Sequence, residues 1–232
     1  MPRSARIVIP GCPHHVTQRG NNGQDVFFVD DDRRVFLDLL SDACDRFGLS
    51  IEGYCLMTNH VHLLATPVEA DSLAGALKRT NQVYAQYING RHGRSGHLWQ
   101  DRFFSCALDD RHFRRALAYV ERNPVRAKLC RVAWRWQWSS AAAHCGWTDG
   151  AGLLNMPKWR RRTTPEQWRK VLRQGDDERE VERLRLWTSR GRPLGSDRFV
   201  ARLEAKLGRR LRALPRGRPK NAPDQSSTSP GK

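Results

Sequence analysis

The sequence is short of acidic residues, of long apolar runs and of paired cysteines, and each shortage excludes something. Its 232 residues hold 24 Asp and Glu against 41 Lys and Arg, a formal net charge of +17, with an isoelectric point near 10.6. An imbalance of that size points to a polyanionic partner, with nucleic acid ahead of anionic membrane. No apolar run approaches the roughly 18 residues that a bilayer-spanning helix needs. The opening MPRSARIVIPGCPHH also lacks the longer apolar core of a signal peptide. No membrane association and a cytoplasmic address are therefore expected. The six cysteines, Cys12, Cys44, Cys55, Cys106, Cys130 and Cys145, show no C-x-x-C spacing, which argues against a zinc ribbon and gives no disulfide framework. They read as reduced thiols, mostly buried.

The charge that is present is unevenly spread. Residues 1–150 hold 19 Lys and Arg against 15 Asp and Glu, and residues 151–232 hold 22 against 9. Three segments are expected: a main domain over 1–150, a small basic helical appendage over 151–212, and a tail over 213–232. The tail, with PRGRPKNAPDQSSTSPGK at its heart, has no apolar face and should be disordered when alone.

Within the first segment the element types alternate. HHVTQRG reads as a strand and NNGQ as a turn. Val35, Phe36, Leu39, Leu40 and Cys44 lie in helical register over Asp31–Phe47, with Gly48 as the stop. SIEGYCLM and HVHLLAT read as two strands joined tightly at Thr58-Asn59. A second helix starts at Asp71 or Ser72 and ends at NGRHG, HLWQDRFFSCAL holds a short strand, and a third helix runs from about Asp109 to Arg122 and is expected to end at Pro124. That order predicts an α+β fold: a ferredoxin-like or RRM-like antiparallel sheet with helices on one face. Three short amphipathic helices, at TTPEQWRKVL with Thr164 as N-cap, at EVERLRLW and at SDRFVARLEAKLGRRL, add a small basic α-helical C-terminal region.

Two histidines, His60 and His62, flank one valine inside an apolar strand. A strand has a side-chain period of two, so both rings leave one face with Cα atoms about 6.5–7 Å apart, close enough for two imidazoles to share a divalent metal. H-x-H in a half-buried strand is also a common structural pattern. Val61, Leu63 and Ala65 fall on the other face, which leaves the histidine face as the one expected to stay open to substrate. On the third helix Tyr119 and Asn123 are four apart and share a face. Tyr84 and Tyr87 on the second helix are rival nucleophiles, and periodicity does not choose among the three.

The blocks GCPHHVTQRGNN, GYCLMTNHVHLL, HLWQDRFFS, AYVERNPVRAKL and WQWSSAAAH are similar in order and spacing to the REP-associated tyrosine transposases, a branch of the HUH (histidine–hydrophobic–histidine) single-strand DNA transposases. The resemblance covers about residues 6–145. It implies a ferredoxin-like catalytic core, a divalent metal (Mg²⁺ or Mn²⁺) held by His60 and His62, and Tyr119 as nucleophile. In the broader group a glutamine four residues after the tyrosine is the third metal ligand; this chain has Asn123 there. The implied partner is single-stranded or hairpin DNA, bound by a monomer or homodimer.

For contacts with DNA, Lys78, Arg79 and Arg102 are candidates, the last lying among aromatics in WQDRFFS. PRGRPK has the form of an AT-hook, with Arg216 and Arg218 reaching along the minor groove of A·T-rich duplex. The same tetrapeptide at Arg190–Pro193 is expected to serve as a turn leading into a helix. Two functional classes stand: a metal-dependent, tyrosine-using DNA endonuclease and strand-transferase, or a non-catalytic DNA-binding or repressor protein on the same fold.

Overall fold

The computed structural model describes residues 6–212; Arg216 and Arg218 of the expected AT-hook lie outside them. The chain runs β1 (His14–Arg19), α1 (Asp30–Phe47), β2 (Leu49–Leu56), β3 (His60–Pro67), α2 (Ser72–Arg91), β4 (Phe104–Ala107), α3 (Asp110–Arg126), then α4 (Ala141–His144), α5 (Met156–Arg160), α6 (Pro165–Arg173), α7 (Glu178–Arg190) and α8 (Asp197–Leu207). The four strands form one antiparallel sheet in the order β2-β3-β1-β4. The fold is α+β, with the ferredoxin-like order the sequence predicts.

Local chemistry explains the elements that place the site. α1 opens on three aspartates, and the Asp32 carboxylate reaches back to accept the N–H groups of Phe28 (2.8 Å) and Val29 (3.1 Å), which satisfies donors the first turn leaves over. It closes at Gly48, whose φ of 64° is the left-handed cap that glycine adopts without strain. β2 and β3 are joined through Met57, whose N–H donates to the His60 carbonyl at 2.9 Å.

Each face of the sheet carries its own core. α1 and α2 bury Phe36, Leu40, Leu77 and Tyr84 against Val16, Val61 and Leu63. On the opposite face Cys55 and Leu64 pack with Phe113, Leu117 and Val120 of α3, and with Trp168, Leu172, Val181 and Leu184 of α6 and α7. The histidine face, expected to stay open, is therefore roofed by α3 and by helices from beyond residue 150. These bring large apolar side chains to a surface that would otherwise lie wet, each contributing about 1.5–3 kcal/mol on burial.

One local expectation is corrected. Pro124 does not end α3; the helix continues to Arg126. A proline costs the Val120 carbonyl its usual N–H partner, and here Asn123 Nδ2 donates to that carbonyl at 3.3 Å and to the Tyr119 carbonyl at 3.0 Å. The tetrapeptide at Arg190–Pro193 leads into α8 as expected and also closes α7: Gly191, with φ 62°, caps α7, and Ser196 starts α8 by accepting the Phe199 N–H. The six cysteines are free thiols, four of them buried.

Candidate nuclease site

The register of β1 on β3 pairs Thr17 with His62 and Arg19 with His60. His15, Thr17 and Arg19 therefore share a face with the two histidines. His60 Nδ1 lies 2.7 Å from Asn59 Oδ1, and Asn59 Nδ2 donates to the Gly23 carbonyl at 3.0 Å, which fixes the amide so that its oxygen faces the ring. The proton of His60 thus sits on Nδ1, and Nε2 keeps its lone pair.

His62 reaches the same state through a longer chain. Thr188 Oγ1 of α7 donates to Cys106 Sγ at 3.4 Å, so its oxygen accepts from His15 Nδ1 at 2.8 Å. His15 Nε2 then accepts from His62 Nδ1 at 3.0 Å, and His62 Nε2 is left as a lone pair. Burial, with Arg19 and Arg185 nearby, pushes His60 down to about 4. Burial, with His60, His15 and Arg185, holds His62 well below the ordinary imidazole range, and burial brings His15 down to about 3. All three rings are neutral at neutral pH.

α3 brings Tyr119 to these rings while packing on the sheet. At Gly53 of β2 a Cβ would come 2.3 Å from Leu117 Cδ1, so a larger residue there would displace Leu117. One helical turn on, the fully buried Glu121 accepts from Ser140 Oγ (2.5 Å), His144 Nδ1 (2.5 Å) and Trp168 Nε1 (2.8 Å), tying α3 to α4 and α6. Tyr119 then meets His62 edge-on, ring centroids 5.6 Å apart at 88°. Its hydroxyl accepts from Arg185 Nε at 3.2 Å, and the guanidinium carbons of Arg126 and Arg185 lie 5.5 and 5.6 Å from its ring centre. Asp176 (3.1 Å) and Glu178 (3.2 Å) hold Arg126.

His60, His62, Tyr119 and Asn123 line one cleft of about 510 Å³, with Arg19, Arg126 and Arg185 around them. Because Asn123 Nδ2 serves the helix carbonyls, Oδ1 is its uncommitted atom. Two neutral imidazole nitrogens and one amide oxygen suit a divalent cation that is to keep its full charge for a phosphate. Among the described residues no three His, Cys, Asp or Glu side chains cluster to hold a metal, so any such site draws on the amide or on substrate oxygens. The rival tyrosines lie elsewhere: Tyr84 is buried on the other face with its hydroxyl donating to the Val26 carbonyl at 2.6 Å, and the Tyr87 hydroxyl donates to Asp32 at 3.4 Å.

Lys78 and Arg102 line a cleft on the α2 side with Trp99 and Asn81, Arg102 also lines a cleft at β4, and Arg79 is exposed outside both. The sequence reading missed His15, Thr188, Arg126 and Arg185. His15 carried a signal, since strand alternation puts it two before Thr17 on a strand that must pair with a neighbour. Arg185 and Thr188 carried none, because nothing in EVERLRLW says that its helix returns to the sheet.

The family "Transposase IS200 like" matches residues 9–123, a segment that includes β1 through Tyr119 and Asn123. A solved structure of a REP-associated tyrosine transposase bound to a REP hairpin is 16% identical, covers 67% of this chain and 96% of that one, and superposes with a TM-score of 0.54, which shows the shared fold. A candidate transposase from Deinococcus radiodurans R1, 18% identical over 55% of this chain and 92% of that one, reaches a TM-score of only 0.33. No curated protein matches. Residues 9–123 thus match the IS200-like transposase family model, and the chain shares its fold with a REP-associated tyrosine transposase.

Proposed function

We propose that the protein is a metal-dependent single-strand DNA endonuclease and strand-transferase that acts at hairpin-forming repeats through a 5′-phosphotyrosine intermediate. The observation that carries this reading is the Tyr119 hydroxyl in one cleft with both histidines of the H-x-H pair and under a guanidinium. Tyr119 Oη forms the bond to phosphorus, the O3′–P bond breaks, and the departing 3′ oxygen takes up a proton. Arg185 stabilises the phenolate as it forms, and its N–H fixes the direction from which the oxygen attacks. His60, His62 and Asn123 would hold Mg²⁺ or Mn²⁺, which polarises the scissile phosphate when bound. Tyrosine, histidines and asparagine all come from one chain, so a second copy is not needed to complete the set.

The decisive experiment incubates the protein with single-stranded hairpin DNA and Mn²⁺ or Mg²⁺ and looks for a covalent adduct after denaturation. An adduct that Tyr119→Phe abolishes is expected. Tight binding of the same DNA with no adduct under any metal would favour the non-catalytic DNA-binding reading.

The same proposal gives the regions beyond residue 150 a supporting part in binding DNA, and gives Arg216 and Arg218 an AT-hook contact. Truncation at Pro215 should then weaken binding to A·T-rich duplex more than to G·C-rich duplex in anisotropy titrations. Equal losses would leave a nonspecific basic arm.

A further inference from the structure

A second cleft, of about 450 Å³, opens beside the first, at the edge strand β4 and the ends of α7 and α8. Among the described residues six arginines line it, Arg6, Arg102, Arg190, Arg192, Arg209 and Arg210, against one carboxylate, Asp101. Two of them are held by contacts that need no acid. Arg6 Nε donates to the Phe103 carbonyl at 3.2 Å with its guanidinium 3.8 Å above the Phe103 ring, and Arg192 Nη1 donates to the Leu211 carbonyl at 2.7 Å. Such contacts fix the direction of each guanidinium while leaving further N–H groups unspent. Like charges crowded into a concavity repel one another and focus a strong positive potential there. Burial and the neighbouring Arg102 accordingly push Arg6 down from its ordinary value. The arrangement is costly without an anion and favourable with one.

The cleft is continuous with the proposed nuclease site. Phe104 and Ser189 line both, so a chain leaving Tyr119 along β4 passes over Phe104 before it reaches the arginines. Phe104 is an apolar ring 44% exposed on a strand whose other residues are buried. An unpaired base has a free face to stack on such a ring; a base inside a duplex does not. A polyanion with unpaired bases fits both features, and guanidinium forks match its phosphates. Five of the six arginines lie outside the segment that matches the family, four of them beyond residue 123, so most of the cleft's charge comes from parts of this chain that the family match does not include.

We propose that this arginine cleft binds the single-stranded flank next to the scissile phosphate, with the arginines on its backbone phosphates and Phe104 stacking on a base. The proposal rests on the nuclease reading above and gives that site its track for the strand.

The test uses full-length protein with Tyr119→Phe, so that covalent capture does not enter, and fluorescence anisotropy at several salt concentrations. The probes are labelled hairpins without a flank, the same hairpins with a single-stranded flank of about eight nucleotides, within the span one binding groove covers, and a duplex of equal length. A flank should tighten binding by about tenfold or more. Adding Arg102→Ala, Arg190→Ala, Arg209→Ala and Arg210→Ala together should remove that gain and lower the salt slope by about 0.7 for each phosphate no longer neutralised, with the flankless hairpin bound as before. Phe104→Ala should cost at least about fivefold on the flanked probe with the slope unchanged, because a stacked base releases no counterion. The four arginines are exposed, and an unchanged melting temperature checks the fold; Arg209→Gln with Arg210→Gln is the milder variant should the quadruple change unfold. A flank gain that survives the arginine changes, an equal loss on the flankless hairpin, or a duplex that competes as well as the flanked strand would each overturn the proposal. The covalent-adduct experiment with intact Tyr119 tests the nuclease reading separately.

Discussion

The two faces of the sheet each carry a tyrosine close to aromatic neighbours, and the difference between them shows what makes one a candidate nucleophile. Tyr84, on the α1 and α2 face, sits among Phe27, Phe36 and Trp99 with its hydroxyl spent on the Val26 carbonyl. Burial, with Asp32 nearby, raises its pKa far above the ordinary phenol value, so a phenolate there is strongly disfavoured. Tyr119, on the α3 and α7 face, is also buried, yet its hydroxyl accepts from a guanidinium and two guanidinium groups lie near its ring. Burial alone therefore does not separate them. What the oxygen meets does: the Tyr84 hydroxyl donates to a backbone carbonyl away from any cleft, whereas the Tyr119 hydroxyl accepts from Arg185 in the cleft that holds His60 and His62.

The most damaging way to probe that contrast is to remove each hydroxyl. Tyr119→Phe should abolish the covalent adduct while binding of single-stranded DNA changes little. Tyr84→Phe should leave the adduct in place and cost about 1–3 kcal/mol of stability, because the Val26 carbonyl is left buried without a partner; urea unfolding followed by fluorescence measures it. Adduct formation that persists in Tyr119→Phe and disappears in Tyr84→Phe would reverse the comparison.

Next in size are the histidines. His60→Ala and His62→Ala should each lose cleavage, and a strong chelator should do the same to the unaltered protein. His15→Ala is the finer probe. His15 only orients His62, so its loss should weaken metal affinity by about 10–100-fold, the usual cost of removing such a partner, with cleavage returning as Mn²⁺ is raised. Recovery by metal separates an orienting residue from a ligand. A His15→Ala variant with unaltered metal dependence would remove the Thr188–His15–His62 chain from the account.

Much of this molecule is legible in the sequence, and the part that is not shares one cause. The four strands and first three helices follow from local signals: Asp32 and Gly48 bound α1, alternation marks β3, and Asp109 starts α3. The H-x-H pair stands out by spacing and by resemblance, and Tyr119 by resemblance alone. What stays hidden is pairing across distance. Arg185 reaches Tyr119 across 66 positions and Thr188 reaches His15 across 173, and no periodic signal within EVERLRLW encodes either. The end of α3 is hidden for a related reason. Proline is a local stop signal, but Asn123 cancels it with a side-chain hydrogen bond that no propensity scale carries.

The faces also differ in how they are fastened, and Glu121 tests this. The α1 and α2 face is held by apolar and aromatic packing, whereas α3 is pinned through one buried carboxylate that takes three donors. Glu121→Ala leaves Ser140, His144 and Trp168 without their acceptor and should cost about 3–5 kcal/mol. Adduct yield should fall with it, since Tyr119 lies on the same helix two residues earlier. Full adduct yield in a destabilised Glu121→Ala protein would mean that the sheet contact at Gly53 alone suffices to seat α3.

The smallest expected effect belongs to Asp32, the buried carboxylate of the opposite face, and it separates the faces by pH. Burial raises its pKa, but the N–H groups of Phe28 and Val29, together with His92, outweigh that and hold it below the ordinary carboxylate value. A group whose folded pKa is depressed contributes stability that is present above its unfolded value and lost as the pH falls through the folded one. The unaltered protein should therefore lose this contribution only in acid, below about pH 4. Asp32→Asn should be less stable at neutral pH by about 1 kcal/mol, the usual scale for a helix N-terminal carboxylate or cap. Its own stability should be flatter through the acid window, since no proton is taken up at that position. Unfolding midpoints in urea at neutral pH and at successive acid values measure both. Adduct formation near neutrality should not follow the change, because Asp32 lies on the side of the sheet away from Tyr119 and the histidines. A parallel fall in adduct yield would show that the α1 and α2 face transmits its state through the sheet to the cleft.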